Sequence, residues 1–153
     1  MFFIANHPIY NHPLPEGHRF PMLKYELLPK QLLHEGTAEC TDFYSPDSID
    51  LSLVHAVHTV SYVKALTELT LDAKAVRSIG FPLSAALVER ELRIAQGTVV
   101  GCNHALEHGI AFNIAGGTHH AFSDRGEAFC LLNDQAIAAQ YLIDQKKCHK
   151  ILI

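Results

Sequence analysis

The chain has 153 residues, room for one domain and no second, and 16 acidic against 12 basic side chains give it a formal net charge of −4. Lys and Arg are scattered and the isoelectric point is about 6.2, which excludes the clustered basic footprint of a nucleic-acid surface. No stretch approaches the roughly 20 apolar residues of a membrane span, and the apolar start Met1-Phe2-Phe3-Ile4-Ala5 lacks a basic leader and is broken by Asn6-His7-Pro8, so a soluble, cytoplasmic protein with no membrane partner is expected.

Phe2 to Ala5 reads as a first strand that delivers His7 to Tyr10 to its carboxyl end, where ligand sites of parallel α/β sheets collect. Pro13 and Pro15 keep the next turn extended. Met22, Leu23, Leu27 and Leu28 have helical spacing, and Pro29 is expected to stop that helix; Gln31 to Glu35 reads as a short helix end or a strand. Ser48-Ile49-Asp50 marks a helix start with a hydroxyl suited to capping, and Leu51, Val54, Val57, Tyr62, Val63 and Leu66 suit two short helices hinged near His58-Thr59. Ser84 is the expected cap of the next helix, with Leu87, Val88 and Leu92 sharing a face and Glu89, Arg90, Glu91 and Arg93 exposed. Thr98 is expected to open another helix through Val99, Val100, Ala105 and Leu106, ended by Gly109. Ala111 to Ile114 reads as a strand, Asn133-Asp134 starts a helix through Ile137 and Tyr141, and Lys150 to Ile153 reads as a parallel strand that completes a βαβ unit. Cys40, Cys102, Cys130 and Cys148 form no C-x-x-C pair, the pattern of reduced cytosolic thiols.

The chemistry concentrates between Gly116 and Asp134. Paired glycines precede two adjacent imidazoles, the side chains that both take and give a proton near neutral pH; a His-rich surface loop is the plain alternative. The segment Gly116-Gly117-Thr118-His119-His120-Ala121-Phe122, followed by Gly126-Glu127-Ala128-Phe129-Cys130-Leu131-Leu132-Asn133-Asp134, resembles the histone deacetylase family, which includes acetoin-utilisation proteins and acetylpolyamine amidohydrolases. His7-Pro8-x-Tyr10, His12-Pro13 and Gly17-His18-Arg19-Phe20-Pro21-Met22-x-Lys24-Tyr25 are similar to the amino-terminal signature of its bacterial, class IV-like branch. His58-x-x-x-Tyr62-Val63, Ile79-Gly80-Phe81-Pro82-Leu83-Ser84 and Gly97-Thr98 follow in that branch's order.

The resemblance implies a three-layer αβα fold with a mainly parallel sheet, of the arginase-deacetylase type, in which residues 1–153 would be the amino-terminal half of a single domain. It also implies a zinc-dependent hydrolase that removes acetyl or longer acyl groups from lysine or polyamine amines. Zinc polarises the acyl carbonyl and activates a water in that family; His120 would be the general base and acid, and His119 its hydrogen-bonded electrostatic partner. Gly117, Ala128 and Phe129 would bind substrate, Phe129 lining a tunnel around the acyl-lysine stem and Ala128, where many members carry glycine, offering its carbonyl to a substrate amide. Ordinary core packing is the alternative for Phe129. Arg19 would lie beneath the active site in the acetate-release region, with an ion-pair staple as the competing reading. Family members carry their metal ligands on a D-x-D-x-H segment directly after a short apolar strand. All zinc ligands, and the carboxylates that partner the two histidines, are therefore expected beyond Ile153, leaving this chain by itself without metal and inactive.

The residues leave other readings open. The apolar Ile151-Leu152-Ile153 and a composition 48% hydrophobic with mean hydropathy +0.09 suit part of a larger buried domain, and an exposed edge beside Lys150 to Ile153 would template strand pairing in a non-catalytic, self-associating module. His104-Ala105-Leu106-Glu107-His108 matches the inverted zincin pattern H-x-x-E-H, in which His104 and His108 bind zinc from one helix face and Glu107 activates water. Against it, Gly109 ends that helix at once and Glu127 is the only later glutamate. A Cys130 dyad with His119 or His120 competes with a buried, inert thiol. His7, His12 and His18 read as structural, and His55 and His58 as helix-surface or satisfied core residues.

Overall fold

Three short parallel strands in the order β2-β1-β3 organise the chain, whose computed structural model describes residues 2–153. Ile4 of β1 (Ile4–Ala5) lies opposite Phe43 of β2 (Phe43–Tyr44) and Phe112 of β3 (Phe112–Asn113), and Ala5 opposite Tyr44 and Asn113. Two strands lie where the apolar runs predict them, β1 shorter at its start and β3 at both ends. The sequence reading missed β2, because two residues carry no alternation to read. Directly after β1 a 3-10 turn, Pro8–Tyr10, is capped by His7, whose Nδ1 accepts from Ile9 N at 3.0 Å.

The helices are α1 (Lys24–His34), α2 (Leu51–His55), α3 (Val60–Thr67), α4 (Ala73–Ile79), α5 (Ala85–His108) and α6 (Asp134–Asp144). Side-chain caps explain most of their starts: Thr59 receives Tyr62 N, Asp72 receives Ala75 N, Ser84 receives Leu87 N and Asn133 receives Ala136 N. The cap of α2 is Asp50, which accepts from Ser52 N at 2.8 Å, while the expected Ser48 hydroxyl instead donates to Glu89 at 3.0 Å. Pro29 does not stop α1 but sits inside it, so the carbonyl of Tyr25, four residues before it, goes without its helical N–H donor.

Two expected helices are one. α5 runs for 24 residues through Gly97 and Thr98 and ends where Gly109, with φ of 90°, closes it. Its mid-helix glycines are packing devices. A Cβ on Gly97 would stand 2.9 Å from Ala5 Cβ, so only glycine lets α5 lie directly on β1. α5 also packs on α6 and α3, which leaves it little solvated surface. Arg90 and Glu91, expected to be exposed, are therefore each 1% exposed. They form an ion pair, and Arg90 Nε donates to Tyr10 O at 2.9 Å.

Lys150 to Ile153 forms no strand, and the expected βαβ unit is not closed. A parallel strand exists only through its ladder with a neighbour; this segment instead runs beside Thr98, Cys102, Ala138 and Leu142 of α5 and α6, with Leu152 98% exposed. All four cysteines are free thiols. Among the described residues no helix is long and apolar enough to cross a membrane.

Candidate active site

The turn that carries the histidine pair hangs from one buried carboxylate. Asp134, at the start of α6, accepts from Thr118 N at 2.7 Å, Thr118 Oγ1 at 2.8 Å, Gly117 N at 3.0 Å and Thr98 Oγ1 at 2.5 Å. Asn113, the last residue of β3, donates to Thr98 Oγ1 at 2.8 Å and joins strand, helix and turn in one polar network. Four donors compensate the burial of that charge. The two glycines have different tasks. A Cβ on Gly116 would stand 3.1 Å from Asp134 Oδ2 and 3.2 Å from Thr98 Oγ1, whereas Gly117 holds a φ of 89°. Asp134, Thr98 and Asn113 are not legible in the sequence as a unit because they come from three separate elements; the Asn133-Asp134 dipeptide reads as a helix start and as the end of the family-like segment.

His119 and His120 project from this turn exposed, with ring centroids 4.2 Å apart and planes inclined by 40°. His119 Nδ1 lies 2.9 Å from Gly117 O. A carbonyl only accepts, so Nδ1 carries a proton in this contact. The neighbouring segment is tied to the pair through Asn133, whose Nδ2 donates to Ala121 O at 3.1 Å and His119 O at 3.4 Å.

Glu127 to Cys130 forms a tight turn in which Ala128 and Phe129 both hold positive φ, 48° and 69°. Their amides donate to Ser78 O at 3.1 Å and Ile79 O at 2.6 Å, docking the turn on the end of α4. The Phe129 ring is half-buried, with Phe20 at 5.0 Å and Phe81 at 5.1 Å between centroids, and the Arg19 guanidinium carbon 4.9 Å from its centre. Arg19 itself is exposed and makes no ion pair among the described residues. His18, stacked on Phe81, lies 2.9 Å from Gly80 O through Nε2 while its Nδ1 accepts from Phe20 N, a structural role. Burial pushes the Cys130 thiol up to about 11, with Glu91 and Asp134 adding to the shift, which does not suit a nucleophile at neutral pH.

His104 and His108 share a face of α5, with ring centroids 4.3 Å apart, and His104 stacks on Phe3. Glu107 Oε2 lies 3.8 Å from His108 Nε2. Among the described residues no group of three His, Cys, Asp or Glu side chains could hold a metal ion.

The histone deacetylase domain matches residues 18–153 of the chain. An uncharacterized protein of Picosynechococcus sp. (strain ATCC 27264 / PCC 7002 / PR-6) is 45% identical over 152 residues, 99% of this chain and 51% of that protein. Acetoin utilization protein AcuC of Bacillus subtilis (strain 168) is 33% identical over 105 residues, 64% of this chain and 27% of that protein. Histone deacetylase 2 of Arabidopsis thaliana is 25% identical over 144 residues, 89% and 37% of the two chains. The chain thus spans about half the length of the first of these relatives and less of the others. Among solved structures, an HDAC homolog complexed with SAHA superposes with a TM-score of 0.79 at 23% identity, covering 94% of this chain and 41% of that one. The HDAC homolog from Aquifex aeolicus gives 0.78 at the same identity. These likenesses show the fold, a partial α/β domain of the arginase-deacetylase type. A histone deacetylase domain match over residues 18–153 shows that the chain belongs to the histone deacetylase family.

Proposed function

We propose that the protein containing this chain is a zinc-dependent hydrolase that removes acetyl or longer acyl groups from lysine side chains or polyamines. The observation that carries this reading is the pair of exposed imidazoles on a turn anchored by a buried, fully hydrogen-bonded carboxylate. Such a turn keeps proton-transfer groups in place without ordering them at the moment of reaction. His120 acts as general base and acid, with His119 as its electrostatic partner. Gly117 shapes the turn, while Ala128 and Phe129 form one wall for a linear acyl chain, with Arg19 over the outer face of Phe129. An HDAC homolog of the same fold has been solved with SAHA, which supports a ligand-accessible site.

The described residues do not provide a ligand set for zinc. We assign its ligands to the part of the protein outside this chain; what the chain itself supplies is proton transfer and positioning. With acetyl-lysine peptide and N-acetylated polyamine as substrates of the longer protein, His120→Ala is expected to lower kcat by about 10²–10⁴-fold with zinc content unchanged. Retained activity, or loss of zinc together with activity, would overturn the assignment.

A further inference from the structure

His58, just before the Thr59 cap of α3, and Tyr62 in its first turn grip the same segment. Tyr62 Oη donates to Leu131 O at 2.8 Å, and Asn133 N donates to His58 Nε2 at 3.0 Å. Their ring centroids are 5.9 Å apart, and both side chains are buried, His58 to 2% exposure. Next to them Thr59 N donates to Ser123 O at 2.8 Å, so the same stretch also holds the backbone just after the histidine pair.

Asn133 passes this restraint on. Its Oδ1 caps α6 through Ala136 N, and its Nδ2 holds the carbonyls of His119 and Ala121. An amide N–H only donates, so Nε2 of His58 must be unprotonated and the neutral ring carries its proton on Nδ1. Burial favours that neutral ring by lowering the His58 pKa, against an opposing pull from the Phe122 and Ser123 backbone. A histidine that only filled space could be exchanged for an apolar ring; this one gives an acceptor to the residue that restrains the pair.

We propose that His58 and Tyr62 form a two-pronged clamp on Leu131 to Asn133 that positions the His119–His120 loop, with His58 a positioning residue for the reaction. The proposal rests on the catalytic assignment of His119 and His120. It is tested in the longer protein with His58→Phe, which removes the acceptor and keeps a ring, and His58→Gln, whose Oε1 can still accept from Asn133 N. Tyr62→Phe, which deletes one oxygen, carries the test if His58→Phe does not fold.

His58→Phe is expected to lower kcat about tenfold with KM changed less than about twofold, and His58→Gln to recover about half or more of the lost rate. Tyr62→Phe is expected to move kcat in the same direction. Amide exchange should quicken at residues 119–123 and at Asn133 while α5 and the sheet stay protected. Wild-type kcat in both His58→Phe and Tyr62→Phe, a Gln variant as impaired as Phe, or exchange that quickens throughout the molecule would overturn the clamp. If instead His120→Ala retains activity, the catalytic assignment has failed, and the local exchange at 119–123 decides the clamp by itself.

Discussion

Ala128 shows how a single residue can hold strain at a candidate site. Its φ of 48° places Cβ against the carbonyl, a conformation that disfavours L side chains by about 1–2 kcal/mol. Phe129, also at positive φ, is compensated by its ring packing on Phe20 and Phe81; Ala128 has only a methyl group. Ala128→Gly is expected to raise stability by about 0.5–1 kcal/mol after the added unfolded-state entropy of glycine, as read from urea unfolding. A less stable variant would mean that the methyl group contributes packing that outweighs the strain. Cys130 is the second residue-scale case. With its thiol raised to about 11 by burial, it should react with iodoacetamide at pH 8 at least about tenfold more slowly than the exposed Cys40, as measured by mass spectrometry. Labelling of Cys130 as fast as Cys40 would return the Cys-His dyad to consideration.

At the scale of elements, α5 is the part on which the site is built, because it touches the sheet, α6 and the Asp134 network together. Its closest approach is Gly97, where an added Cβ would stand 2.9 Å from Ala5 Cβ and 3.0 Å from both Asn113 Nδ2 and Tyr10 Oη. Gly97→Ala gains roughly 1 kcal/mol of helix propensity but must push the helix off the strands, so a net loss of about 1–2 kcal/mol is expected. Gly101→Ala is the control. Its nearest neighbours would lie at 3.5 Å, ordinary contact, so thermal unfolding should show that variant unchanged or stabilised by up to about 1 kcal/mol. Equal behaviour of the two variants would refute close packing at Gly97.

Across the whole molecule, the Arg90 and Glu91 pair joins parts distant in sequence. Arg90 donates to Tyr10 O just after β1 and lies over the Tyr25 ring of α1, with its guanidinium carbon 4.9 Å from the ring centre, while Glu91 faces the Leu131 backbone. Complete burial pushes the Glu91 carboxyl pKa up and Arg90 opposes that shift; Oε2 of Glu91 has no hydrogen-bond partner. Arg90→Met, which strands a buried carboxylate, is expected to destabilise the fold by about 3–5 kcal/mol, and Arg90→Met with Glu91→Leu to recover most of that loss in the same denaturation assay. A double variant as unstable as the single one would mean that the Tyr10 hydrogen bond, rather than charge compensation, is what Arg90 contributes.

Features set by local chemistry were legible in the sequence. Ser84 and Asn133 read as helix starts, Gly109 as a helix end and Ile4 and Phe112 as strand residues, because caps and apolar runs act over a few bonds. The resemblance to the histone deacetylase family was legible in the Gly116 to Asp134 block for the same reason: its chemistry is contiguous. Only the tertiary structure decided that Arg90 and Glu91 are buried, that α5 continues past Gly97, that Pro29 lies within a helix, and that Asp134, His58 and Tyr62 hold the histidine loop. Apart from Pro29, each of those depends on partners distant in sequence. A charged run has the same pattern whether it meets water or an opposite charge in the core, and only the packing of α5 between the sheet and its neighbouring helices determines which it meets.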